Sequence, residues 1–217
     1  MIEEAEIHEG KVAAATRLHD LGVDEETLRE AVEYGLRHAF SCTKHDPPNL
    51  PGIIAWGKGI RSLRDRLVPL GWTTDNSRNY ATVVSPDGKT ALAVAAADAG
   101  TGRPKSTPST RSTKGPATKA AVDRNQLSFA DVVDAFPKPQ ETEKADRTWL
   151  LLHYVDEEAE EIRAELSLPV HMDGNGYVDS WLERIILETI PHVSTPVGDF
   201  DIGEEIDVPV ERRSQGK

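Results

Sequence analysis

Twelve of the 25 lysines and arginines fall between residues 51 and 125, where only five acids accompany them. Lys58, Arg61, Arg64 and Arg66 share a segment of helical apolar spacing, Arg78 and Lys89 flank a candidate hairpin, and Arg103, Lys105, Arg111, Lys114 and Lys119 lie among hydroxyl side chains. This is the chemistry of phosphate binding. Each Lys or Arg displaces condensed counterions from a polyanion, while Ser, Thr and backbone N–H groups add positioning hydrogen bonds. The flanks are acidic: residues 1–50 carry 11 acids and 5 bases, and residues 126–217 carry 21 and 8, so the net charge is -12. The same basic residues would equally serve as a solvated helix face and a soluble linker, balanced against acidic ends.

Other constellations are weaker. His38, Cys42, His45 and Asp46 put imidazole, thiol and carboxylate donors within nine residues, a set zinc could use, but no second pair of ligands has metal spacing. No metal and no other cofactor is assigned. Gly88-Lys89-Thr90 has Val83 where a phosphate loop needs its first glycine. Asp173-Gly174-Asn175-Gly176 begins like a calcium loop but places Tyr177 at the third ligand position, and is read as a turn. Glu165, Asp98 and Asp87 are carboxylates that could converge on a metal, as in a nuclease, if the fold brought them together. His153, His171 and His192 have no nucleophile or carboxylate at diagnostic spacing. The lone Cys42 excludes an internal disulfide, and the longest uncharged apolar run, Ala91 to Ala97, is too short for a bilayer. With no basic n-region after Met1, the expectation is a cytoplasmic chain with no membrane contact.

These residues need elements to position them. Residues 11–42 read as two helices divided at Gly22, the second capped by Asp24. Ile53, Trp56, Ile60, Leu63 and Leu67 recur through a third helix that stops near Pro69 and Gly71. Pro86-Asp87-Gly88-Lys89 between apolar runs predicts a hairpin over residues 80–98. Residues 101–120 hold eight Ser or Thr, three Pro, five Lys or Arg and no acid, too little apolar surface to order alone, and read as a linker or binding loop. Gly115-Pro116 opens a short helix towards Gln126, and residues 131–144 read as irregular. Trp149 to Val155 has the pattern of a strand covered on both faces, Ile162 to Leu168 alternates as its antiparallel partner, and residues 181–190 are assigned to a strand over a helix. Trp56 and Leu151 are expected in the core, and residues 199–211 in a solvated acidic tail.

The order of helices, then Leu63 to Trp72, then a hairpin tipped by Pro86-Asp87-Gly88-Lys89 resembles the recognition helix and wing of winged-helix DNA-binding domains over residues 24–98. The resemblance implies that Arg61, Arg64, Arg66 and Lys89 face DNA. The expected fold is α+β, with N-terminal helices packed on a mainly antiparallel sheet of four or five strands and a long Ser/Thr/Pro-rich inserted loop. The expected organisation is 1–100 helices plus hairpin, 101–121 basic loop, 122–198 second half of the sheet and 199–217 acidic tail. The preferred function is a non-enzymatic regulatory protein that contacts nucleic acid through its basic middle. The alternatives are an adaptor for a protein partner, using the acidic ends, and a metal-dependent hydrolase or nuclease.

Overall fold

A computed structural model describes residues 5–130 and 145–192, with side chains of 127–130 outside the description. Three helices, α1 (Lys11–Asp20), α2 (Glu25–Ala39) and α3 (Leu50–Leu67), precede most of the sheet. The Asp24 carboxylate accepts from the Thr27 amide at 2.7 Å, which satisfies one of the orphan donors at the start of α2. α2 and α3 lie so close that a Cβ on Gly35 would come within 2.5 Å of the Ala55 carbonyl oxygen, so this crossing requires glycine. Leu151 is fully buried, as expected, whereas Trp56 is only partly buried, packed on the rim of the core.

The strands are β1 (Glu6–His8), β2 (Thr73–Asp75), β3 (Thr82–Val84), β4 (Thr90–Ala96), β5 (Arg147–Asp156), β6 (Glu161–Met172), β7 (Val178–Ile186) and β8 (Ile190–Pro191). Seven of them run in the order β1-β7-β6-β5-β4-β3-β2, with β8 also paired to β6. The α+β class stands. The expectation of four or five mainly antiparallel strands is corrected, because the described residues form eight and the sheet is mixed: β4 pairs parallel to β5, and β1 parallel to β7. The parallel β4/β5 ladder has a topological cause. Parallel neighbours need a long crossover, and residues 97–146 supply one that includes α4 (Pro116–Ala130). Residues 131–144 and the acidic tail lie outside the described residues.

Alternate residues of β4 face opposite layers. Leu92 and Val94 join Leu28, Leu36, Ile60, Leu63, Trp149 and Leu151 under α1–α3, while Ala93, Ala95 and Ala97 join Leu150, Leu152, Val178, Trp181 and Val122 of α4. The hairpin is therefore not a projecting wing: β4 is an interior strand of the sheet, and α3 spends its apolar face on the same sheet.

One buried group sets a pH dependence. His153 on β5 is 5% exposed, and its Nδ1 has no hydrogen-bond partner. Burial, aided by the positive charges of Lys114 and then Arg111, pushes its pKa down to about 4 from 6.5. The unfolded chain therefore takes up this proton first as pH falls. The stability that neutral His153 provides is complete above pH 6.5 and is lost progressively down to about pH 4, a loss of roughly 3 kcal/mol. Urea unfolding at pH 7 and pH 4 should show a fall larger by about this amount in the native protein than in His153→Gln.

Candidate functional site

The basic loop is a strap over the face opposite α1–α3. At its root, Gly102 adopts φ +70 and sits where a Cβ would meet the Arg163 side chain at 2.9 Å. Its N–H donates to Glu165 Oε2 at 2.8 Å. Glu165 and Arg184, on β6 and β7, are 0% and 2% exposed at their side chains and form a bidentate pair: Nε to Oε1 at 2.9 Å and Nη2 to Oε2 at 2.6 Å. Arg184 also donates to the carbonyls of Ser106 and Arg103, and Ser167 Oγ donates to Glu165 Oε1 at 2.6 Å. Each side-chain nitrogen and oxygen of the pair thereby has a hydrogen-bond partner, and the strap supplies three of them.

Further along, the Trp181 indole N–H donates to Pro108 O at 2.8 Å. The Thr110 N–H donates to Val178 O and the Arg111 N–H to Ala96 O, each at 2.9 Å. In a flat sheet β4 and β7 would stand three spacings apart, about 14 Å. Consecutive amides of one extended segment reach only its two immediate neighbours, roughly 10 Å across. The sheet therefore curls, with residues 109–111 seated between β4 and β7 like an added strand.

The candidate cations are divided by the sheet. On the α1–α3 side, Lys58 is half-buried on α3, Arg61 pairs with Asp65 one turn on, and Arg66 pairs with Glu30 of α2. Arg64 is absorbed into the fold: its guanidinium donates to the carbonyls of Asp75 and Thr82 and to Asn76 Oδ1, and burial lowers its pKa. Lys89 lies at the β3–β4 turn beside Asp87. On the strap side stand Arg103, 3.5 Å from Asp156, exposed Lys105, Arg111, Lys114, which donates to Ser112 Oγ, and Lys119, which pairs with Asp123 along α4. The cations of α3 and those of the strap thus form two separate groups.

At the β2–β3 end of the sheet lies a cleft of about 40 Å³ on the α4 side. Asp75 Oδ1 accepts from the Ser77 N–H and Oγ, and Arg64 holds the same loop from below. The chain then passes through left-handed φ values at Arg78 (57°) and Asn79 (59°), strained for residues with a Cβ. Opposite, Ala117, Ala120 and Arg124 line the cleft from one face of α4. Burial, with Arg78 adding to it and Tyr80 and Asp146 opposing it, lowers the pKa of Arg124. Arg124 was not among the sequence candidates. Its spacing from Ala117 and Ala120 was legible, but the loop it faces was not.

The carboxylates weighed for metal chemistry do not meet. Glu165 is bound by Arg184, Asp87 is bonded to Ser85 at one end of β4, and Asp98 accepts from Gly100 beyond the other end. Cys42 is buried, which raises its thiol pKa, and His38 Nδ1 contacts Tyr34 O. Among the described residues no group of three His, Cys, Asp or Glu is placed to hold a metal ion. No family model, curated protein or solved structure matches this chain.

Removing one member of the buried pair should leave the other charge uncompensated: Arg184→Leu is expected to destabilise by roughly 3 to 5 kcal/mol. The double variant Glu165→Leu/Arg184→Leu should recover most of that loss in chemical denaturation. Its Gly102 amide, which loses its acceptor, should nonetheless exchange with solvent hydrogen faster than in the native protein.

Proposed function

We propose that the protein is a non-enzymatic binding protein that contacts the phosphates of a nucleic acid through its strap side. The observation that carries this reading is the strap itself: residues 101–115 hold four cations and no acid, on a backbone anchored to the sheet by the Glu165–Arg184 pair. Exposed Arg103 and Lys105 stand near Ser106 and Thr107, so cations and hydroxyls share one exposed stretch. Rigidity favours binding, because ordering a loose loop on a ligand would cost conformational entropy that this strap has already lost. The role assigned to Arg61, Arg64 and Arg66 on a recognition helix is not proposed again, since these side chains serve Asp65, the β2–β3 loop and Glu30.

A second reading, an interaction surface for a protein partner, draws on Val68 and Leu70, which are 43% and 66% exposed just after α3 on the other side of the sheet.

Fluorescence anisotropy with a labelled oligonucleotide tests the first reading. With about four phosphate contacts, affinity should fall roughly 10²-fold between 50 and 200 mM salt. Arg103→Ala/Lys105→Ala should weaken binding at 50 mM salt and lower the salt slope, while Lys58→Ala/Arg61→Ala should change neither. Equal losses from the two double variants would rule out the strap as the contact surface.

A further inference from the structure

The cleft between the β2–β3 loop and α4 brings two guanidinium groups together without a carboxylate bound to either. Arg78 and Arg124 both line it, and among the described residues neither makes a hydrogen bond or ion pair. Arg124 Nε is sequestered from solvent with no acceptor. A buried donor of this kind costs about 1–3 kcal/mol unless something accepts from it. The acid on the rim, Asp75, already takes two hydrogen bonds from Ser77 on one oxygen. The remaining polar lining is hydroxyl: Ser77, Tyr80, Thr82 and Thr148. The N–H groups of the two guanidiniums therefore outnumber the carboxylate oxygens of the lining, and two positive charges stand against the one negative charge of Asp75.

Size restricts what could enter. One water needs about 10–15 Å³ of such space, so about 40 Å³ holds roughly three water-sized groups. A tetrahedral oxyanion fits that volume, whereas a nucleoside or a cofactor ring, which takes several hundred Å³, does not. Guanidinium forks match the oxygens of a phosphoryl group two at a time, which a lone ammonium cannot do. The backbone of Arg78 and Asn79 is held in a strained conformation that aims this loop at α4, the kind of strain that surrounding structure maintains at binding sites.

We propose that this cleft binds a single phosphoryl group, as free phosphate or as the end of a phosphomonoester, through Arg78 and Arg124. The site is separate from the strap and does not rest on nucleic-acid binding there. It is tested on the full chain by calorimetric titration with inorganic phosphate and, in a second arm, with a nucleoside 5′-monophosphate. Saturable one-to-one binding is expected in at least one arm, with the tighter arm identifying the source of the phosphoryl group. Arg124→Gln and Arg78→Gln should each weaken it about tenfold or more, as loss of a charged hydrogen bond implies. Arg103→Ala/Lys105→Ala should leave it unchanged. Arg78 is exposed, so Arg78→Gln carries the test if Arg124→Gln fails to fold by circular dichroism. No saturation in either arm at tens of millimolar, or binding that survives Arg78→Gln undiminished, would overturn the proposal.

Discussion

The buried pair of Glu165 and Arg184 is the interaction on which the strap side of this protein depends. Taking both charges out of water costs several kcal/mol per ion, and attraction offsets that only when every remaining donor and acceptor is used. Here the remaining partners are Ser167 and the backbone of Gly102, Arg103 and Ser106. The pair therefore cannot be satisfied unless the strap is in place. A segment of Ser, Thr, Pro and basic residues has almost no apolar surface with which to order itself, so it borrows order from a charge pair on the sheet. Once fixed there, it bonds β7 on one side and β4 on the other and holds the sheet in its curl.

The sheet in turn decides which cations can act together. Its two faces carry separate apolar clusters, one beneath α1–α3 and one beneath α4 and the strap. Cations contiguous in the chain are consequently assigned to opposite sides, and those on α3 are largely committed to neighbours. Arg64 shows the extent of that commitment: it spans from α3 to the β2–β3 region and gives its hydrogen bonds to the carbonyls of Asp75 and Thr82. By holding that loop it also sets the position of Arg78, so a residue read as a ligand contact acts as a support for another.

The strap side and the edge cleft share α4. The helix presents Lys119 to solvent, Val122 to the core and Arg124 to the cleft, while the Asn125 amide donates to the carbonyls of Thr148 and Pro169 and its oxygen accepts from the Thr148 N–H. Those three bonds lock its rotation against β5 and β6. Arg124 is thus aimed by a buried side chain one residue away, and the geometry of the cleft follows from packing rather than from a flexible surface.

Local physics made much of the framework legible in the sequence. Three-four spacing located α2 and α3, Asp24 marked the start of α2, turn chemistry at Pro86 to Lys89 placed the β3–β4 connection, and unbroken apolar residues from Trp149 to Leu152 identified a strand covered on both faces. Each of these signals lies within a few residues of what it predicts. The mixed sheet was hidden because parallel pairing of β4 with β5 joins strands some fifty residues apart, and no local pattern records which distant neighbour a strand will choose. Short strands such as β1, β2 and β8 are stabilised by the sheet they join and carry too few residues for a period of their own. Charge was legible only as composition, for a related reason. Composition revealed a basic middle, but whether a guanidinium faces solvent, a carbonyl or a carboxylate depends on what the fold brings to it. Only the tertiary structure could pair Glu165 with Arg184, turn Arg64 inward and set Arg78 across from Arg124, because those contacts join residues that share no local spacing.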